Sequence, residues 1–339
     1  MEFSFKSIIT LIARLYLLGL CAWLVLYLVS GERLLTIALL NNVVVYFFLP
    51  LPLVALAAAY TQRWDLWVGT LIGAATFAWL WGSLFLPAPP RATAAGETLT
   101  IMSYNVLGLH DYSDPVIESI RQENADVVLI QELNYALARA LQSELSAEYP
   151  YQSLDPRRDV HGMGTLSRYP LRPHEQELPL DWIGTPQELF LDWDGHTISL
   201  VNFHMQSSTV DALGKYSRDN EKRTLQAQAL VDFAAGAGAF IAAGDANSSP
   251  LTTAYRLLSQ NLNDAWQQAG FGLGHTFPGS DIPGSMRPHL AGVPVPQWLT
   301  RIDYIFHSGH FKTVQTRNTR FDGVSDHRGV VAVLRWAAP

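Results

Sequence analysis

The apolar positions follow two patterns that change near residue 97. Before it, three long apolar blocks cover about residues 7–30, 34–60 and 64–86. Each is long enough for a helix that crosses a hydrocarbon core, which takes roughly 20 residues. Only Glu2, Lys6, Arg14, Glu32, Arg33, Arg63 and Asp65 carry full charge there. A secretory leader would show one short apolar region and a small-residue cleavage site. Three consecutive blocks instead predict a retained, all-α transmembrane region of about three helices over residues 1–86. The second block holds Asn41-Asn42 and Pro50-Leu51-Pro52. Proline interrupts a helix interior, so this block is expected to be a kinked span or a span plus a re-entrant piece. Trp64, Trp67, Trp79 and Trp81 lie toward the ends of the third block and suit interfacial anchors.

Beyond residue 97 the apolar runs shorten and end on polar residues. Strands are predicted at 99–106, 126–131, 164–167, 189–193, 197–203, 239–243, 301–307 and 329–334. Helices are predicted at 114–124, 135–146, 219–235 and 252–259, the first with Asp114 as cap and Pro115 at its first position. Strands alternating with helices predict an α/β domain of two packed sheets with helices outside. Between the two patterns, residues 87–96 are rich in Pro and small side chains and read as a short exposed linker. The expected organisation is therefore a transmembrane region (1–86), a linker (87–96) and a domain (97–339).

Composition sharpens this division. The chain is 49% hydrophobic and 16% charged, and the imbalance comes from the first 86 residues. Five of the 23 basic and three of the 30 acidic side chains precede residue 97, leaving 18 against 27 and a formal charge of −9 beyond it. That is not the basic footprint of a tight nonspecific DNA binder. Lys6, Arg14 and Arg63 on one side of the spans outnumber Arg33 and Arg91 on the other. The positive-inside rule then places the chain in a multi-pass cell membrane with residues 97–339 outside the cytoplasm. The single cysteine, Cys21, permits no intramolecular disulfide and does not fix the compartment.

The candidate chemistry lies where the strands end. Asn105 closes Ser103-Tyr104-Asn105, Glu132 follows Gln131, and His204 closes the run from Leu200. Asp245 and Asn247 sit in Gly244-Asp245-Ala246-Asn247, Asp303 in Arg301-Ile302-Asp303-Tyr304, and Asp326 and His327 in Ser325-Asp326-His327. Each has an ordinary reading: Asn105 or Asp245 capping a turn, Asp303 pairing with Arg301 or Arg328, His204 as a structural histidine. Jointly they supply acid, amide and imidazole at apolar strand ends of one domain. Hard divalent cations take such oxygen ligands together with substrate phosphate.

These motifs, in this order, resemble the endonuclease/exonuclease/phosphatase superfamily, which includes deoxyribonucleases, neutral sphingomyelinases and inositol polyphosphate 5-phosphatases. Ser167-Arg168-Tyr169-Pro170 resembles a further family motif. The resemblance spans about residues 97–336. It implies a four-layer α/β/β/α sandwich and Mg²⁺- or Mn²⁺-dependent phosphoester hydrolysis. It also implies that Glu132 binds the cation with Asn105 and Asp326 near or in its shell. Asp245 would position the attacking water, Asn247 would hold a phosphate oxygen, and Asp303 would orient His327. His204 and His327 would share the acid, base and phosphate-binding roles, in an order the residues leave open. Asn202-Phe203-His204 departs from the Asn-x-Tyr of the abasic-site branch. Ala246 stands where an aromatic is common, and no carboxylate partner for His204 is evident.

The expected function is a membrane-tethered phosphoesterase whose partners are the bilayer and a lipid headgroup or other small phosphoester. Alternatives are a membrane-anchored nuclease and a non-catalytic binding protein on the same fold; no protein partner is implied. Residues 205–218 and 271–298 are expected to be substrate-setting loops, with Trp182 and Trp298 reaching an interface and His161 a possible extra contact.

Overall fold

The computed structural model describes residues 4–86, 96–208 and 213–337. The linker expected at 87–96 lies outside the described residues, apart from Gly96. Two compact units divide near Leu86.

The first unit is helical. Helix α1 (Phe5–Ser30) starts at Ser4, whose Oγ accepts from Ser7 N. Then come α2 (Leu35–Leu40), α3 (Leu51–Thr61) and α4 (Trp64–Trp81). The second apolar block is broken: α2 stops at Asn41, a 3₁₀ turn covers Val44–Phe48, and α3 restarts at the proline pair. Proline is tolerated in a first turn because its missing N–H would have no intrahelical partner there. Buried Asn41 accepts a hydrogen bond from Trp23 Nε1 at 3.2 Å. Three segments, Phe5–Arg33, Val44–Thr61 and Trp64–Phe85, are long and apolar enough to cross a membrane. Leu18, Val29, Leu53 and Leu71 are exposed and give these helices an apolar outer face. Trp64, Trp67 and Trp79 are exposed, but Trp81 is buried against Phe48 and Phe77 and is a packing residue, not an anchor.

The second unit runs β1 (Thr98–Asn105), α5 (Asp114–Glu123), β2 (Val127–Gln131), α6 (Tyr135–Leu145), β3 (Tyr151–Asp155), β4 (Met163–Ser167), β5 (Leu171–Pro173), β6 (Gln187–Trp193) and β7 (His196–His204). It continues with α7 (Leu213–Gly236), β8 (Ala239–Asp245), α8 (Thr253–Asn261), β9 (Asn263–Asp264) and α9 (Ala265–Ala269). Last come β10 (His289–Leu290), β11 (Val293–Pro294), β12 (Asp303–His307), β13 (Phe311–Asn318) and β14 (Val330–Trp336). One six-stranded sheet has the order β13-β14-β1-β2-β4-β3, the other β5-β6-β7-β8-β12-β9. Each contains one parallel pair, β1 with β2 and β7 with β8, among antiparallel neighbours.

The layers follow from the alternation of side chains along the strands. Leu99, Ile101, Val127 and Leu129 from the first sheet meet Leu189, Leu200, Ile241 and Ile305 from the second. On the outer face of the first sheet, Met102, Val128 and Ile130 pack on Ile117, Ile120 and Leu141 of α5 and α6. On the outer face of the second, Val201, Phe240 and Phe306 pack on Leu230, Phe233 and Leu258 of α7 and α8. This is the four-layer α/β/β/α sandwich. Two local expectations change. Ser113, not Asp114, is the N-cap of α5, so Pro115 falls at its second position, still in the first turn. Helix α7 already runs from Leu213, so the end of the expected 205–218 loop is helix, and residues 209–212 lie outside the described residues.

Candidate active site

Strand register brings the polar strand ends together. Parallel β1 and β2 align Asn105 with Gln131, so Glu132 emerges beside Asn105. In the second sheet, parallel β7 and β8 align His204 with Asp245, and antiparallel β12 aligns Asp303 with Asp245. Adjacent strands lie roughly 4.8 Å apart, which sets three functional side chains in a row. Gly244 lets β8 come this close, since a Cβ there would lie 1.8 Å from the Phe203 carbonyl oxygen. The backbone turns left-handed at Glu132 (φ 62°) and Asn247 (φ 47°). For a non-glycine residue such a conformation costs on the order of 1–3 kcal/mol, offset here by the surrounding packing.

A connected set of contacts crosses between the sheets. Asn105 Nδ2 donates to Glu132 Oε1 at 3.0 Å and to Asp245 Oδ2 at 3.2 Å. His204 Nε2 lies 3.4 Å from Asp245 Oδ2, and His327 Nε2 lies 3.8 Å from the same oxygen and 3.9 Å from Asp326 Oδ1. The Nδ1 atom of His327 donates to Asp303 Oδ2 at 2.9 Å. Asn247 N donates to Asp245 Oδ1 at 2.8 Å, while Asn247 Nδ2 donates to the Met205 carbonyl at 3.0 Å. Thus the structure gathers Asn105, Glu132, His204, Asp245, Asn247, Asp303, Asp326 and His327 at one end of the sandwich. His161 contacts Asp159 at an exposed position, and Trp182 is buried with its Nε1 on the Pro179 carbonyl, so Trp182 does not reach an interface. Trp298 packs under the Arg328 guanidinium, 3.7 Å from its ring, and edge-on to Phe321.

Electrostatics divide the set. Burial raises the Glu132 and Asp326 carboxyls above the usual carboxylate range. Burial also raises Asp303, which its contact with His327 only partly opposes. Burial acts the same way on Asp245, but His327 and His204 outweigh it and hold that carboxyl low. For His327 burial favours the neutral ring, yet Asp303 and Asp245 prevail and push it well above its ordinary value. His204 is raised more weakly, again against burial and chiefly by Asp245.

The residues present fit a divalent cation. Glu132 Oε2 and Asp303 Oδ1 are buried with no hydrogen-bond partner among the described residues, a costly state that a cation or a bound phosphate's partners would relieve. Ligand atoms of Asp245, Asp303 and His327 also lie within 4.8 Å of one another, a compact trio able to hold a metal ion. The acid-rich pocket thus offers two adjoining donor groups, one around Glu132 and one around Asp245.

Several residues support the site through contacts that the sequence alone does not assign. Thr276 Oγ1 accepts from Ile302 N and Asp303 N and fixes the start of β12. Met286 N donates to Asp326 Oδ2 at 2.7 Å and Gly279 N to the Asp326 carbonyl at 2.6 Å, so the 271–298 stretch forms a wall of the site. Ser325 Oγ donates to the Asn105 carbonyl and accepts from His327 N, tying the last motif to the first. Buried Gln131 and Asn202 join the two sheets just behind, at 2.7 Å.

The sequence profile described as "Endonuclease/Exonuclease/phosphatase family" matches residues 102–327. No curated protein matches the chain in sequence. Among solved structures, a truncated TDP2 from Caenorhabditis elegans is similar with a TM-score of 0.54 at 18% identity, over 70% of this chain and 98% of that one. An endonuclease/exonuclease/phosphatase from Beutenbergia cavernae gives 0.52 at 19%, over 71% and 72%. A D. rerio TDP2 complexed with single strand DNA product gives 0.53 at 19%, over 70% and 99%. At these identities the likeness establishes the fold.

Proposed function

The chain belongs to the endonuclease/exonuclease/phosphatase family and is a metal-dependent phosphoester hydrolase; from that premise we propose a membrane-tethered enzyme whose substrate is a lipid headgroup or another small phosphoester. The observation that carries the chemistry is the unbroken chain of contacts from Glu132 through Asn105 and Asp245 to His327 and Asp303. Three apolar segments and a formal charge of −9 beyond residue 96 support the tether and the non-nucleic-acid substrate.

In this reading Glu132, Asn105 and Asp326 hold the cation, because Glu132 Oε2 is buried without another partner while Asp245 already faces two imidazoles. A bound Mg²⁺ or Mn²⁺ neutralises charge on the phosphoryl oxygens. Asp245, held in its charged form, accepts a proton from the attacking water and orients it. Fixed by Asp303 and raised in basicity, His327 rests protonated and donates to a phosphate oxygen or to the leaving group. His204 approaches Asp245 from the other side and makes a second phosphate contact. Asn247, bound through Nδ2 to Met205, positions the Asp245 turn and presents its remaining amide edge to the phosphate.

The test is an assay of the full-length protein in detergent with Mg²⁺, against phospholipids, inositol phosphates and plasmid DNA. Hydrolysis of a lipid or small phosphoester at rates well above DNA is expected. DNA cleavage far faster than every lipid and small ester would replace this reading with a membrane-anchored nuclease. Absence of turnover on every phosphoester, with no metal binding, would leave a binding protein on the same fold.

A further inference from the structure

We propose that the cavity beside Glu132, framed by the loop after β1, the start of α6 and Arg157-Arg158, is a second anion subsite that receives a further phosphate of the substrate; this rests on the phosphoesterase reading above. Its volume is about 380 Å³, and Arg139, Arg157 and Arg158 all line it, with His110, Asn134 and Tyr135. That size suits a small ligand group.

The cavity walls are fixed to the catalytic residues. The loop after β1 is pressed against Glu132: a Cβ on Gly108 would lie 2.0 Å from the Glu132 carbonyl oxygen. Asn134 Nδ2 donates to the Gly108 carbonyl at 3.0 Å and to the His110 carbonyl at 2.5 Å, and its Oδ1 accepts from Leu137 N as the cap of α6. Arg157 N donates to the Leu133 carbonyl at 3.0 Å, which holds the arginine pair against the other wall. Two residues of chain, at most about 7 Å of Cα travel, separate Glu132 from Asn134. A substrate with one phosphate at Glu132 and another at Arg139 and Arg158 would bridge this interval.

Charge is the second argument. In a region of net charge −9, three guanidiniums converge on one cavity whose acid is Asp111. Arg157 is held by Asp155 at 2.8 Å, but Arg139 and Arg158 have no ion-pair partner among the described residues. Guanidinium groups match phosphate oxygens in a planar, two-point geometry. The positive end of α6 adds to the same field. A neighbouring nucleotide phosphate and a second phosphate on a small or lipid headgroup present the same chemistry to these residues.

The experiment uses the full chain and its Arg139→Gln/Arg158→Gln double variant; both side chains are exposed, so melting curves should coincide. Inorganic phosphate is titrated calorimetrically into each protein in EDTA. The variant should bind at least about tenfold more weakly. Equal affinities, or no binding by the wild type, would overturn the subsite, whether or not any phosphoester is turned over. Two matched pairs then identify the source: a dinucleotide with and without a 5′-phosphate, and phosphatidylinositol with and without a ring phosphate. In one pair the added phosphate should lower KM with kcat unchanged, and the double variant should erase that gain. No KM difference in either pair would overturn the assignment to substrate.

Discussion

The two sheets end at one site but differ in how their charges are balanced. On the first side, Asn105, Glu132 and Asp326 bring two carboxyls whose burial disfavours the charged form. On the second, Asp245 is buried as deeply yet stays charged because two imidazoles face it. His327 comes from the same loop as Asp326 but turns to Asp303 and Asp245, so the imidazoles offset burial at Asp245 and not at Glu132 and Asp326. That difference suggests a division of labour, with the cation on the first side and proton handling on the second. The two histidines repeat the contrast. His327 is backed by Asp303, whereas buried His204 Nδ1 has no partner among the described residues.

Replacing the histidines should break this comparison most visibly. His327→Ala should lower kcat about 10³-fold or more, and His204→Ala about 10²-fold, on bis(p-nitrophenyl) phosphate. Equal losses would mean that the carboxylate behind His327 contributes nothing. Stability offers the next contrast. The second side rests on fully buried Arg301, which bonds Asp264 at 2.8 Å and packs against the adjacent Tyr255 and Tyr304 rings. Arg301→Met leaves Asp264 uncompensated and should cost about 3–5 kcal/mol by urea unfolding. The corresponding support on the first side is the hydrogen bond from Tyr104 to Asp322. Tyr104→Phe should cost about 1.5–3 kcal/mol, the range for a bond to a charged group.

The smallest effect concerns pH. Asp303 raises the basicity of the His327 ring, so Asp303→Asn should lower that pKa. The limb of the pH–rate profile governed by His327 should move to lower pH, with kcat at its optimum down only about tenfold. A profile that does not move would show that Asp303 holds the ring in place without tuning it.

Most residues of this candidate site are legible in the sequence because they lie at the ends or starts of apolar strands, which are visible locally. Asn105, Glu132, His204, Asp245 and Asp303 are all found that way. The supports are not, because their meaning lies in distant pairing. Arg301 lies two residues before Asp303 in the motif, yet its partner Asp264 comes from a two-residue strand, β9, with no periodicity to detect. Strand β13 escapes for another reason: Lys312, Gln315 and Arg317 dilute its apolar positions, and it lies at a sheet edge where one side meets solvent. Trp81 and Trp182 mislead because tryptophan suits an interface and a core equally well, and only packing decides.

The central claim is that Glu132 holds the cation on which turnover depends. Its most direct test is the initial rate of hydrolysis by the full-length protein as Mg²⁺ is varied, for wild type and Glu132→Gln. Wild type should show saturable activation that chelation abolishes. The variant should need far more Mg²⁺ or show no turnover, with an unchanged melting temperature in EDTA. Full activity of Glu132→Gln at the same Mg²⁺ concentration would contradict the account.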